Sequence, residues 1–331
     1  MRLWWFLLCP ASGWTPSPPR SRAIRVVCGA KEDETALTRV GGTAADELLK
    51  ALARADRSSQ GQGRTDEDGV VVYEPSDFRT PWAVVHFVGG AAFGSFPDLA
   101  YGELLSRLCD RLGVGCVATP YSLSLDHEAA AQAVDALFRR ALDEARTERA
   151  WPRACRVLGL GHSLGCKLLL LTMANRDDAY DQLGLVAPNN FGVADSARLM
   201  RNFLDAVRPP SSNDQQPSWT GLLDVVIAGA TMAGIEVAPS PSDTLDILRR
   251  GAACPTRFLS FDNDDLDSTT DFVGAVGARG APVRLPGGHL SPVYIKELSI
   301  GDIAALDAIV DALASVFSNE EPVLPLLAPP A

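Results

Sequence analysis

Short apolar runs alternate along the chain with longer segments that carry apolar residues at helical spacing. Runs rich in β-branched residues predict seven strands, at Val70–Tyr73, Ala83–Val88, Gly115–Thr119, Arg156–Leu160, Gly184–Ala187, Arg257–Phe261 and Val283–Leu285. The helical spacing predicts helices at Tyr101–Leu112, Glu128–Arg146, Gly165–Ala174 and Ile303–Phe317. Strands that alternate with helices of this length form βαβ units, so the pattern predicts the α/β class with a mainly parallel, doubly wound sheet.

One segment interrupts this alternation, from about residue 188 to residue 253. It contains turns rich in Asn, Pro and Ser around two stretches with helical spacing, Ala194–Val207 and Gly221–Ala233. An insertion between two core strands is expected to form a cap over the carboxyl edge of the sheet, where ligands bind in such folds.

The two ends of the chain differ from the core. Residues 1–31 contain no Asp or Glu but four arginines and several serines, which predicts an organellar transit peptide. A secretory signal is the less favoured alternative, and it is considered because the apolar stretch Leu3–Cys9 could be a short h-region. Residues 32–68 are expected to form a helix and a polar linker, residues 69–320 the core domain with its cap, and residues 321–331 a tail.

Composition removes several classes of function. The 331 residues are 47% hydrophobic, enough for a large core, and carry a net charge of −11 with dispersed Lys and Arg, so no nucleic-acid partner is expected. No later segment has the ~18 consecutive apolar residues of a transmembrane helix. The five cysteines after the leader show no CxxC spacing, so neither a metal site nor a disulfide framework is predicted.

The stretch "VLGLGHSLGCKLLLL" carries the first candidate for chemistry. Glycines two residues before and after Ser163 allow a predicted strand to turn sharply into a predicted helix, with the serine at the turn. A serine hydroxyl needs a base and donors for the developing oxyanion, and the N–H of Leu164 is a candidate donor. The alternative is a glycine-rich turn that contains a serine without catalytic use.

Among the four histidines, His289 is the candidate base. It lies in "LPGGHLSP", after the last predicted strand, where the sheet presents its carboxyl edge. His162 is adjacent to the serine and is expected to point away from it. The alternative for His289 is a histidine of a surface loop.

The candidate acid lies in "RFLSFDNDDLDST", which contains Asp262, Asp264, Asp265 and Asp267. If the strand ends at Phe261, the usual spacing from strand to acid favours Asp265, with Asp267 as second choice. A solvated acidic loop is the alternative. For the second oxyanion donor, the glycine-rich stretch "HFVGGAAFG" offers the amides of Gly90 or Ala91.

With these motifs in order, the chain resembles an α/β-hydrolase, and in particular the cyanobacterial and plastid family called "domain of unknown function 1350". The resemblance is carried by "HFVGGAAFG", "CVATPY", "GHSLGCKL", "APNNF", "VAPSPSDT", "DNDDLDST" and "LPGGHLSP". It implies an α/β-hydrolase fold and a chloroplast location, in agreement with the leader. It implies nothing about the substrate.

These residues together predict a serine hydrolase that acts on an ester, thioester or lipid acyl group through an acyl-enzyme. Transfer of the acyl group to an alcohol is a related outcome. The expected partner is a small-molecule or lipid acyl substrate, no cofactor is expected, and a protein partner is left undefined. The alternative from another class is a hydrolase-like scaffold that binds a ligand or partner in the chloroplast without turnover.

Overall fold

The structure is a computed structural model that describes residues 63–193, 195 and 236–318, except residues 78, 92, 279, 297 and 298. The predicted leader, the N-terminal helix and the C-terminal tail lie outside the described residues. The two predicted helices of the cap do so as well, apart from residue 195. The organellar address and the cap helices therefore stay predictions from the sequence.

The described residues form eight strands and six α-helices. The strands are β1 (Arg64–Thr65), β2 (Val71–Tyr73), β3 (Ala83–Val88), β4 (Gly115–Ala118), β5 (Arg156–His162), β6 (Gln182–Val186), β7 (Thr256–Asn263) and β8 (Val283–Gly288). The helices are α1 (Pro97–Leu112), α2 (His127–Glu148), α3 (Leu164–Asn175), α4 (Pro241–Arg250), α5 (Thr269–Val276) and α6 (Ile303–Ser318), and a 3-10 turn covers Phe93–Ser95.

All eight strands join one sheet in the order β1-β2-β4-β3-β5-β6-β7-β8. Every pair of neighbours among β4, β3, β5, β6, β7 and β8 is parallel. Among the described strands, the antiparallel pairs are β1 with β2 and β2 with β4, at one edge. The chain therefore has the predicted mainly parallel α/β sheet. The loops after β3, β5, β7 and β8 leave the sheet at the same edge, so residues distant in sequence meet there.

Helices cover both faces of the sheet. On one face, side chains of α1 and α6 such as Leu105 and Leu313 pack with Phe87 of β3. On the other face, side chains of α2 and α3 such as Val134 and Leu168 pack with Leu185 of β6. Burial on both faces explains why β3 and β6 contain no exposed residue.

The seven predicted strands and the four predicted helices of the core are confirmed, with ends that differ by a few residues. Helix α4 was missed within the segment read as turns, although Ser240 caps it by accepting a hydrogen bond from the N–H of Asp243, and Pro241 occupies its first position. Short α5 and the two-residue β1 were missed too, because so few residues show no clear period.

Candidate active site

Ser163 occupies a sharp turn as the single residue between β5 and α3. Its backbone has φ 55° and ψ −123°, a conformation that is rare for any residue except glycine. A Cβ on Gly161 would lie 2.8 Å from the backbone nitrogen of Cys166, and one on Gly165 would overlap the carbonyl oxygen of Val88. The two flanking glycines are therefore required by the close approach of helix and strands.

We expect Gly165→Ala to prevent correct folding of the turn, because the new methyl group collides with the backbone of β3 and not with a movable side chain. The loss in the free energy of unfolding should exceed about 3 kcal/mol. The control is Gly274→Ala in α5, where no atom lies within 4 Å of the added Cβ. That variant should be unchanged or slightly more stable in urea denaturation, and equal stability of the two variants would contradict the model of the turn.

The backbone of Ser163 is held by the last residue of β6 and by the segment that follows it. Its N–H donates to the carbonyl oxygen of Val186 at 3.0 Å, and its carbonyl oxygen accepts from the N–H of Asn189 at 3.2 Å. Ser163 is 4% exposed. The hydroxyl thus sits in a largely desolvated environment, where charges and dipoles act more strongly than in water.

The imidazole of His289 bridges Ser163 and Asp264. Its Nε2 lies 2.8 Å from Ser163 Oγ, and its Nδ1 lies 2.9 Å from Asp264 Oδ2. The side chain of His289 is 9% exposed and that of Asp264 is fully buried. A buried carboxylate next to Nδ1 stabilises the tautomer with the proton on Nδ1, which leaves Nε2 free to accept the proton of the serine.

The structure corrects the predicted acid: Asp264, and not Asp265 or Asp267, contacts His289. Strand β7 continues to Asn263, two residues beyond its predicted end, and a register shift lies between Phe261 and Asn263. Asp264 is therefore the first residue after the strand.

The other two candidates have different positions. Asp265 is exposed, and Asp267 accepts from the N–H and Oγ1 of Thr269 at the start of α5. Burial raises the pKa of Asp267, and the bonds from Thr269 oppose that rise. Asp262 is exposed and pairs with Arg284.

The loop of the acid is tied to the loop behind the serine. Asn190 donates its N–H to Ser268 Oγ at 3.2 Å, and Ser268 donates its N–H to the carbonyl oxygen of Pro188 at 2.7 Å. The "APNNF" motif thus connects the nucleophile turn to the acid loop through hydrogen bonds of its own backbone to Ser268. Sequence analysis gave this motif no role.

Three residues were predicted as oxyanion donors, and the prediction is wrong for Gly90, because its N–H is already paired. Its backbone does lie against the serine, since a Cβ there would be 3.1 Å from Ser163 Cβ, but its N–H donates to Tyr101 Oη at 2.8 Å. The N–H groups of Ala91 and Leu164 have no acceptor among the described residues. Leu164 is the first residue of α3, where the helix leaves its first N–H groups unpaired.

His162 and Tyr101 lie next to the site. The sequence analysis assigned neither residue to it. The ring centroids of His162 and His289 are 5.2 Å apart. The sequence led only to the expectation that His162 points away from Ser163. Tyr101 comes from the middle of α1, and no motif marks it. A histidine beside the serine was the one available signal, and it could not show which way the ring turns.

Three buried histidines lead us to expect a loss of stability in mild acid. Burial lowers the pKa of both His86 and His162 from 6.5 to about 3, with smaller effects of Arg176 and His289 respectively. Burial likewise lowers the pKa of His127 from 6.5 to about 4. Between pH 6.5 and 3 the unfolded chain binds more protons than the folded chain, so stability falls as pH falls. At pH 5 we expect each histidine to cost about 2 kcal/mol relative to pH 7.5, measured by urea denaturation.

The matched variant for this prediction is His86→Asn, which lies away from the serine. It should reduce the change in unfolding free energy between pH 7.5 and 5 by about a third, because His127 and His162 still contribute, whatever its effect at neutral pH. A wild-type midpoint that does not move over this interval would contradict the prediction.

Within the described part of the chain, no group of three His, Cys, Asp or Glu side chains could hold a metal ion. No helix in the same residues is long and apolar enough to cross a membrane.

A parallel sheet in this strand order, with a hydrogen-bonded serine, histidine and aspartate at its carboxyl edge, defines a protein with the α/β-hydrolase fold. Residues 70–325 match the family described as "Protein of unknown function (DUF1350)". The chain belongs to that family, and the resemblance found in the sequence is confirmed.

Solved structures that are similar to this chain share little sequence with it. The Francisella virulence factor BioJ is 15% identical with a TM-score of 0.55, over 86% of this chain and 95% of that one. Est1E from Butyrivibrio proteoclasticus is 14% identical with a TM-score of 0.46, over 77% of this chain and 97% of that one. No curated protein sequence matches the chain.

Proposed function

We propose that the chain is a serine hydrolase that cleaves an ester, a thioester or a lipid acyl group through an acyl-enzyme. The observation that carries this proposal is the unbroken series of hydrogen bonds from Ser163 Oγ through His289 to Asp264, at 2.8 and 2.9 Å. Three side chains from three separate loops meet in the order that acyl transfer needs. No cofactor is required for this chemistry.

In the proposed reaction Ser163 Oγ attacks the acyl carbonyl carbon while its proton moves to His289 Nε2. Asp264 stabilises the imidazolium that forms. The tetrahedral intermediate then collapses, the bond to the leaving group breaks, and His289 returns the proton to the leaving oxygen or sulfur. A water molecule repeats the sequence at the acyl-enzyme, and an alcohol in its place gives acyl transfer.

The oxyanion is proposed to accept hydrogen bonds from the N–H groups of Ala91 and Leu164. Both are free of acceptors among the described residues, and both belong to backbone that adjoins Ser163. The N–H of Leu164 also lies at the N-terminus of α3, where the helix dipole favours negative charge.

A second candidate function is a scaffold that keeps the fold without turnover. One observation favours it: Ser163 is 4% exposed, so a substrate has little access to the hydroxyl in this conformation. The hydrogen-bonded series favours the enzyme, because a scaffold gains nothing from a serine held against the Nε2 atom of a histidine.

Steady-state hydrolysis distinguishes the two functions. The wild-type protein is assayed with p-nitrophenyl acetate, p-nitrophenyl butyrate and an acetyl thioester between pH 6 and 9, beside Ser163→Ala purified in the same way. We expect saturable hydrolysis by the wild type of at least one ester or thioester. A folded wild-type protein with no more activity than the variant on short and longer acyl chains would support the scaffold.

A further inference from the structure

Behind the candidate active site, three hydrogen bonds connect four residues into one continuous series. The N–H of Gly90 lies 2.8 Å from Tyr101 Oη, Tyr101 Oη lies 2.9 Å from His162 Nδ1, and His162 Nε2 lies 2.9 Å from the carbonyl oxygen of His289. Tyr101 is fully buried and His162 nearly so. The series begins at the loop after β3 and ends at the loop after β8.

The direction of every hydrogen bond in this series is determined by its two ends. The N–H of Gly90 can only donate and the carbonyl of His289 can only accept. His162 Nε2 must therefore carry a proton, and in the neutral ring Nδ1 is then an acceptor for the hydroxyl hydrogen of Tyr101. These directions hold for a neutral imidazole, and burial favours that form because it lowers the pKa of His162 to about 3.

The two ends of the series adjoin two groups of the proposed reaction. Gly90 precedes Ala91, whose N–H is the proposed oxyanion donor, and the Gly90 backbone lies against Ser163. At the other end, the bond to the carbonyl oxygen holds the main chain of His289, whereas Asp264 holds its ring. The ring alone could not keep its place if the main chain of this loop moved.

The middle of the series is anchored in the rigid core. Tyr101 belongs to α1, and its ring packs against Phe87 of β3 at a centroid distance of 4.8 Å. His162 is the last residue of β5, one position before the serine. A helix and a central strand thus provide fixed points for two loops that have little regular structure of their own.

We infer that Tyr101 and His162 are positioning residues that hold the amide of Ala91 and the imidazole of His289 in the correct places around Ser163. This inference rests on the proposed function. Neither residue touches the reacting atoms, so each acts through the loop that it holds. Shifts of about 1 Å in such groups lower rates about 100-fold, which gives the scale of the expected effect.

Tyr101→Phe is the variant that tests this inference, because it keeps the packed ring and deletes only the oxygen. A matched control exists in the same core: Tyr180 Oη lies 2.8 Å from His86 Nδ1, and both of those residues are buried. Tyr180→Phe therefore removes the same kind of buried tyrosine–histidine hydrogen bond away from Ser163. Tyr101→Phe should shift the urea midpoint by more than Tyr180→Phe, because it also leaves the N–H of Gly90 without its acceptor.

We expect Tyr101→Phe to lower kcat by about 10- to 100-fold with little change in KM, and to slow labelling of Ser163 by a small fluorophosphonate to a similar degree. The pH profile of kcat/KM should keep its shape, because Asp264 and His289 stay paired. Tyr180→Phe should stay within about twofold of the wild type. Equal rates in the two variants would overturn the inference.

Two variants of His162 keep the inference testable if Tyr101→Phe does not fold. His162→Gln retains a side-chain donor and an acceptor, whereas His162→Leu retains neither, so the first should have the higher kcat by at least about fivefold. Equal kcat values would overturn the inference. Failure of the wild-type protein to react with the fluorophosphonate would instead overturn the proposed function, so the two failures are distinguishable.

Discussion

The Ser163→Ala variant is expected to lose about 10⁶-fold in kcat on any ester or thioester that the wild-type protein hydrolyses. The reason is that Ser163 Oγ, at 2.8 Å, is the one nucleophilic group hydrogen-bonded to His289 Nε2 in the part of the chain that the structure describes. Rates are measured under saturating substrate with the same preparation for both proteins. The variant should remain folded, because alanine is smaller and the backbone hydrogen bonds to Val186 and Asn189 do not involve the side chain.

The control for this prediction is Ser122→Ala, which removes an exposed serine from the loop after β4. It should retain the full wild-type rate. A Ser163→Ala protein that keeps more than about a tenth of the wild-type kcat would show that another group performs the reaction.

The Asp264→Asn variant is expected to lose about 10⁴-fold in kcat. An asparagine amide can donate to Nδ1, which favours the imidazole tautomer with its proton on Nε2, and that tautomer cannot accept the proton of Ser163. The geometry of the site should change little, because the amide has the shape of the carboxylate. KM is therefore expected to stay close to the wild-type value, and steady-state kinetics separate the two constants.

Neighbouring aspartates provide matched controls for this prediction. Asp265→Asn changes the adjacent, exposed residue and should leave kcat within about twofold of the wild type. Asp267→Asn should weaken the start of α5, where Asp267 accepts two hydrogen bonds from Thr269, and affect stability more than kcat. A loss at Asp265 as large as that at Asp264 would contradict the geometry of the acid loop.

Local sequence signals were sufficient for the fold and for two members of the site. The alternation of apolar runs and helical segments predicted the parallel sheet, because strand and helix periods are properties of short segments. The glycines around Ser163 predicted the sharp turn, because a Cβ at either position would meet backbone. Chain order along a parallel sheet then predicted that His289 lies on the same edge.

Local signals located the loop of the acid and the loop of the oxyanion donor, but they could not select the residue within each loop. The choice between adjacent aspartates depends on the residue at which β7 ends, and a register shift near its end moved that point. The choice between Gly90 and Ala91 depends on whether the N–H of Gly90 is already paired. Its acceptor is Tyr101, a residue of another element, and the local sequence does not show that contact. The position of His162 likewise depends on Tyr101 and on the main chain of His289, which are long-range contacts.

The measurement that tests the central claim most directly is covalent labelling of the wild-type protein by a small alkyl fluorophosphonate, followed by mass spectrometry of the peptides. A small reagent is chosen because Ser163 is 4% exposed. The account predicts one phosphonyl group per chain, located on Ser163 and absent from Ser163→Ala. A folded wild-type protein that takes up no label, or takes it up equally in the variant, would contradict the account.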